Sequence, residues 1–238
     1  MQLFYYKGIG RDTEVLELDK EQSRHMTKVL RKKIGDHVYI TDGKGNLFDG
    51  TISLVTSNKC HIDLAFAKAY PKPSINLHIA IAPTKMNDRM EWFLEKATEM
   101  GIQKITPLLC DHSERKKINA ARFEKIVVSA MQQSNQFHLP VITSLTSFQE
   151  FINEKKNGVK CIAHCEESQK SYIAENIDDG QDFTMIIGPE GDFSTREIEM
   201  AISKGFLPTS LGNKRLRTET AGVYTAAIFN SKIEVKNT

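Results

Sequence analysis

The stretch IIGPEGDFSTREIEMA, residues 186–201, decides the fold. TMII at 184–187 reads as a buried strand of a parallel sheet, followed by an exit turn at Gly188-Pro189-Glu190-Gly191. Ser194-Thr195-Arg196-Glu197 then has the spacing of a capping box, in which the serine accepts from the third helical N–H and the glutamate reaches back. Strand, glycine turn and capped helix together form a βα unit, and ligands of open α/β sheets bind outside the carboxyl ends of such strands. The turn is rich in glycine yet carries Glu190 and Asp192. A phosphate cradle would exclude carboxylates, which repel polyanions and compete for the same N–H groups. On spacing alone, an ordinary βα loop whose glycines only satisfy backbone geometry remains the simpler alternative.

One βα unit later comes LGNKRLRTETAGVYTAAIF, residues 211–229. It leaves the strand LPTSL through Gly212 and presents Lys214, Arg215 and Arg217, with Thr218 expected as the helix N-cap. The small residues Ala221, Gly222, Ala226 and Ala227 permit close packing of the closing helix, which the reading assigns to a second subunit. A solvated basic loop is common. Two consecutive βα loops of opposite charge nevertheless make a pocket of mixed sign, suited to a zwitterionic or cationic small ligand beside a polyanionic one.

Working outward, INLHIAIAP (75–83), KITPLL (104–109), VKCIAH (159–164), TMIIG (184–188) and LPTSL (207–211) read as strands. They alternate with helical patterns at 90–102, about 119–134, about 147–157, 194–204 and about 219–231, so residues 75–238 are expected to form an α/β domain with a largely parallel sheet. Residues 1–70 differ. LFYY (3–6), EVLEL (14–18), HVYIT (37–41), LFDGTISLV (47–55) and KCHIDLAF (59–66) are short strands, and DGKGN (42–46) is a hairpin turn. A helix over DKEQSRHMTKVLRKKIGD interrupts them, with Met26, Val29, Leu30 and Lys33 on one face and Arg24, Lys28, Arg31 and Lys32 on another. These elements predict a small barrel, joined through AKAYPKPS (67–74) as a linker.

The chain of 238 residues has 40% hydrophobic and 26% charged residues and a formal net charge of +2, too small to point to nucleic acid except through local clusters. No apolar run approaches the ~20 residues that span a bilayer, MQLFYYKGIG lacks a signal-peptide pattern, and four scattered cysteines fit reduced thiols, so a cytoplasmic protein is expected. Gly8-Ile9-Gly10 lacks the third glycine of a dinucleotide fingerprint, and neither a P-loop nor a GxSxG elbow occurs. Cys161, His164 and Cys165 lie on a strand and its end without CxxC partners, so no metal site is expected.

IGPEGDFSTREIEMA followed by LGNKRLRTETA resembles the last two signature motifs of the SPOUT methyltransferases, and within them the RsmE family, which methylates N3 of a uridine in small-subunit (16S) ribosomal RNA. RHMTKVLRKKIGD (24–36), KMNDRMEWFLEKATEMGIQKITPLL (85–109) and AMQQSNQFHLPVI (130–142) extend the likeness over nearly the whole chain. Three positions depart: Asp192 replaces a glycine of GPEGG, KRLR stands for RILR, and Gln136 takes the place of a usual arginine.

The resemblance implies a PUA-like RNA-binding barrel, a SPOUT domain with a C-terminal trefoil knot, S-adenosyl-L-methionine as cofactor and a homodimer. By the same resemblance, Ile187, Gly188, Glu190, Gly191, Leu211, Gly212, Leu216, Thr220 and Ala221 line the cofactor site and Arg217 faces the target base. Arginine stays protonated and cannot take the N3 proton, but it can stabilise charge developing on the uracil ring. Glu190 and Glu219 are candidate bases, but Glu219 begins a helix, whose dipole favours its ionised, weakly basic form, so the base stays unassigned. Arg24, His25, Lys28 and Arg31, with Lys85, Arg89, Arg115, Lys214 and Arg215, are expected to contact RNA, the cations mainly through phosphates. The alternatives are a SPOUT enzyme acting on another base or on ribose 2′-OH, and a non-catalytic RNA-binding assembly factor.

Overall fold

The computed structural model describes residues 2–56, 59–178 and 180–234. Residues up to Lys72, together with Met131–Leu139, form one compact unit, and Pro73–Ala130 with Pro140 onward form another.

In the first unit, β1 (Leu3–Tyr5), β2 (Val15–Leu18), β3 (His37–Thr41), β4 (Asn46–Val55) and β5 (Cys60–Ala69) form a five-stranded sheet in the order β1-β3-β4-β5-β2. Alternation explains the core: Leu16 and Leu18, Val38 and Ile40, and Cys60, Ile62 and Leu64 point inward around fully buried Phe48 and Ile52. The turn between β3 and β4 is held by Asp42, whose carboxylate accepts from the backbone N–H groups of Lys44 and Asn46 at 2.8 and 3.2 Å. Gly45 has φ +96°, and a Cβ there would lie 2.4 Å from the His138 ring, so only glycine fits. That contact belongs to a returning segment. Gly45 N–H donates to Phe137 O, Leu139 N–H donates to Gly43 O, and the Phe137 ring stacks on Tyr70 at 4.0 Å. Residues 131–139, read from sequence as part of the α/β half, therefore pack with the barrel strands. β5 likewise runs to Ala69, shortening the expected linker.

The predicted basic helix divides in two. Asp19 caps α1 (Lys20–Arg24) through a reciprocal box with Gln22, and His25–Val29 then forms a π-helical turn in which Leu30 N–H donates to His25 O. A π turn holds more residues than an α turn, so the 3.6 periodicity assumed from sequence slips. Met26 is buried as expected, whereas Val29 is 67% exposed instead of facing the core. Arg31 lies beyond the helix with φ +55°.

The second unit contains β6 (Leu77–Ile81), α2 (Asn87–Glu99), β7 (Lys104–Leu109), most of α3 (Ala120–Gln133), β8 (Val141–Ile142), β9 (Thr146–Ser147), α4 (Phe148–Asn153), β10 (Val159–Ala163), β11 (Ser171–Tyr172), α5 (Ile173–Asn176), β12 (Phe183–Ile187), α6 (Thr195–Ser203), β13 (Leu207–Ser210) and α7 (Thr218–Glu234). Its eight-stranded sheet runs β11-β13-β10-β12-β6-β7-β8 with β9 also on β7, and its pairings are parallel. Every residue of β6 and β12 is buried, as a strand covered on both faces requires. On one face the Phe183 ring meets Phe229 of α7 at 6.0 Å. On the other, Ile186 packs with Phe148, Phe151, Ile198 and Phe206 from the α4 and α6 side.

A Cβ on Gly222 would lie 2.5 Å from the Phe93 ring, so α7 approaches α2 within this chain. Ala221 and Ala226 are likewise buried here. Gly222, Ala221 and Ala226 thus serve packing within this chain. Among the described residues, no helix is long and apolar enough to cross a membrane.

Candidate functional site

The sheet order sets β10, β12 and β13 side by side, so the loops after their carboxyl ends converge. They enclose a cavity of about 530 Å³, within the range of small-molecule sites. Ile187, Gly188, Glu190, Leu211, Gly212, Leu216 and Ala221, expected at a cofactor site, line it together with Lys214, Arg215 and Arg217. The β10 loop adds Ala163, His164, Cys165 and Lys170, which sequence reasoning did not place there. His164 had been seen only as a discarded metal ligand. The adjacency of β10 to β12 is not encoded in any local pattern.

His164 is 8% exposed, and neither ring nitrogen has a hydrogen-bond partner. Burial pushes its imidazole below the ordinary histidine range, and Lys170 adds to this while Asp192 and Glu166 oppose it. The shift favours the neutral ring, which carries one donor and one acceptor. A buried polar group without a partner is costly, which is an independent sign of a ligand.

The acidic turn is fixed from several sides. Glu190 Oε1 accepts from Lys85 N–H at 2.9 Å. Lys85 in turn pairs with Glu114 at 2.8 Å, and Arg115 donates to the carbonyls of Thr84 and Lys85. Arg115, expected as an RNA contact, thus helps hold the loop whose backbone aligns Glu190, while the Lys85 side chain is 68% exposed in its pair with Glu114. Gly191 departs from expectation. It does not line the cavity, its φ is not positive, and a Cβ would meet His112 at 3.2 Å. The left-handed residue is Asp192, with φ +62°. Its carboxylate accepts from Phe193 N–H at 2.9 Å and from Cys165 N–H at 2.7 Å, tying the β12 loop to the β10 loop. Aspartate tolerates this conformation, which explains how it stands where the family has glycine.

The second motif is bound to the first by Thr218. Its hydroxyl donates to Gly188 O at 3.0 Å, and Ala221 N–H donates to Arg217 O at 2.8 Å. Arg217 is therefore the N-cap of α7, and Thr218 lies inside the helix, one position later than the sequence predicted. Ser194 does cap α6 as expected, with Glu197 completing the box. Thr220 faces away from the first cavity and lines a neighbouring one of about 670 Å³, with Asp88, Arg89, Trp92, Arg215, Leu216, Arg217 and Glu219. Arg217 and Leu216 border both spaces. Arg89 sits 3.8 Å from Glu219. In the first unit, Arg24, His25, Lys28 and Arg31 are all exposed.

Residues 71–230 match the RNA methyltransferase domain, and residues 18–65 match the RNA methyltransferase PUA domain. The ribosomal RNA small subunit methyltransferase E of Rickettsia conorii is 30% identical, covering 89% of this chain and 88% of its own. A Porphyromonas gingivalis structure described as a "probable rRNA-methyltransferase" superposes with TM-score 0.91 at 38% identity, over 99% of this chain and 100% of that one. A Legionella pneumophila methyltransferase structure, solved with the cofactor SAM bound, gives TM-score 0.85 at 28% identity over 97% of each chain. With the greater part of its length matched in this way, the chain belongs to the RNA methyltransferase family, alongside the ribosomal RNA small subunit methyltransferase E proteins.

Proposed function

We propose that this protein transfers a methyl group from S-adenosyl-L-methionine to N3 of a uridine in small-subunit ribosomal RNA. The observation that carries the cofactor assignment is the cavity at the ends of β10, β12 and β13, lined by a buried histidine with two unpartnered nitrogens. Its walls fit the ligand's chemistry. Glu190 and Asp192 suit sulfonium and ammonium charge, Lys170 and Lys214 suit a carboxylate, and Ile187, Gly188, Leu211 and Gly212 line the space left for an adenosine. Bound there, the cofactor supplies an electrophilic methyl group. The relative solved with SAM and the relatives named for ribosomal RNA support the same reading.

Arg217, at the N-cap of α7 and bordering both cavities, is the residue we assign to the charge that forms on uracil as N3 loses its proton. Arg24, His25, Lys28 and Arg31 of the PUA-matching unit supply RNA contacts, with Lys214 and Arg215 beside the site. We assign residues 1–70 to RNA binding and 75–238 to the methyltransferase domain, with the family's knot and a homodimeric assembly, in the cytoplasm where ribosomal RNA is matured. Calorimetry on the purified chain should register S-adenosyl-L-methionine binding. Nucleoside mass spectrometry of small-subunit RNA from cells lacking the protein should register loss of 3-methyluridine. Unchanged 3-methyluridine would remove the assignment.

A further inference from the structure

The cavity of about 670 Å³ between α2 and the start of α7 shares Arg215, Leu216 and Arg217 with the cavity assigned to the cofactor. Its wall contains a carboxylate without a complete set of partners. Glu219 has an 8% exposed side chain, its Oε1 lies 3.8 Å from Arg89 Nε, and its Oε2 is buried with no hydrogen-bond partner. Glu219 stands in the first turn of α7, and its carboxylate oxygens are acceptors. The other candidate, Glu190, has Oε1 engaged by Lys85 N–H and lines only the first cavity. The same second cavity is faced by Trp92, 43% exposed and the single tryptophan of the chain.

We propose that this cavity seats the target uracil, with Trp92 as the stacking face and the Glu219 carboxylate as the acceptor of the N3 proton. This rests on the methyltransferase reading above. Single-stranded bases are recognised by stacking on aromatic rings and by hydrogen bonds to their Watson–Crick edge. Uracil presents acceptor, donor, acceptor along that edge (O4, N3–H, O2). The wall sets the Glu219 carboxylate beside Arg89, 3.8 Å away, with Arg217 in the same lining. Cytosine has no proton on N3 and would set its lone pair against the carboxylate, so the carboxylate selects uracil. In the transfer, the N3–H bond breaks with its proton passing to the Glu219 carboxylate, and the nitrogen's electron pair forms the N–CH3 bond. The carbon–sulfur pair leaves on sulfur, and the proton is later lost to solvent.

Two measurements test this. Trp92 fluorescence, read with 1-methyluracil as probe, should be quenched saturably, whereas 1,3-dimethyluracil and 1-methylcytosine should give only weak collisional quenching. Equal quenching by all three, or none, overturns the seat. Single-turnover methylation of unmethylated small subunits by Glu219→Gln, with cofactor saturating, should be slowed roughly 100-fold or more. S-adenosyl-L-methionine affinity should stay as in the wild type, quenching by 1-methyluracil should weaken as its N3–H loses a charged acceptor, and the residual rate at saturating RNA should rise with pH as hydroxide replaces the lost base. Glu219→Asp should recover part of the rate and serves if the glutamine variant is unfolded. A Glu219→Gln rate within threefold of wild type overturns the assignment of the proton acceptor. If the wild type yields a methylated nucleoside other than 3-methyluridine, the underlying function fails instead, and product analysis distinguishes the two.

Discussion

Two groups of cations, both read from sequence as RNA contacts, differ in how their charge is used. Arg24 at the end of α1, Lys28 on the π turn and Arg31 just beyond it stand exposed in the first unit. In the second unit, Lys85 is paired with Glu114, Arg115 donates to two backbone carbonyls, and Arg89 lies near a buried carboxylate. An exposed cation can give its charge to a phosphate and release counterions. A cation already bonded to its own chain contributes by fixing a loop. The residue type is the same in both groups, and the partners decide the role.

Arg217 stands between these cases, fixed at a helix N-cap yet bordering two cavities, and it carries the largest expected effect. Arg217→Ala should lower kcat by about 100- to 1,000-fold, or about 2.7–4 kcal/mol, with little change in RNA affinity. Arg217→Lys should recover little, because an ammonium lacks the planar pair of donors. Single-turnover rates at saturating enzyme and cofactor separate chemistry from binding, and a wild-type rate for Arg217→Ala would reduce it to a binding residue.

The exposed group is tested next. Replacing Arg24, Lys28 and Arg31 together should flatten the salt dependence of RNA binding by about two to three units of slope, at ~0.7–0.9 per phosphate contact. Cofactor affinity should be unchanged. An unaltered slope would mean that this face is merely solvated and would break the comparison from its first side.

Arg115→Ala probes the other side. Loss of charge-assisted bonds to Thr84 O and Lys85 O should cost about 1–2 kcal/mol of stability, measured by denaturant unfolding. The rate should fall modestly as the loop holding Glu190 loosens, and the salt slope should stay put. A slope reduced by a full phosphate contact would move Arg115 into the exposed class.

The smallest effect concerns Asp192. Asp192→Gly removes the bond to Cys165 N–H but keeps the left-handed backbone accessible. Asp192→Ala removes the bond and adds strain, so alanine should be less stable than glycine by about 1 kcal/mol. Equal stabilities would show that the turn relaxes out of φ +62° when the carboxylate is lost.

What the sequence determined by itself is local. TMII at 184–187 was legible as a buried strand, observed over Phe183–Ile187, because a short, mostly apolar run ended by glycine and proline has few other solutions. Ser194 and Glu197 announced the start of α6 because a capping box is a contact between near neighbours. Paired motifs of opposite charge gave the cofactor loops, and the signature resemblance gave their chemistry.

The tertiary structure decided everything that depends on which distant segments meet. His164 enters the cofactor cavity because β10 lies beside β12, an adjacency no local pattern specifies. Residues 131–139 join the barrel strands because Gly45 leaves room for the His138 ring. The π turn exposes Val29 because one i→i+5 hydrogen bond shifts the helical phase. Thr220 and Glu219 face a different cavity from Ala221 because neighbouring residues in the first turns of a helix point about 100° apart, and only the packing of α7 on α2 settles which direction meets which space. Periodicity fixes the spacing of side chains along an element; the long-range contacts that set its rotation and neighbours assign each side chain to a site.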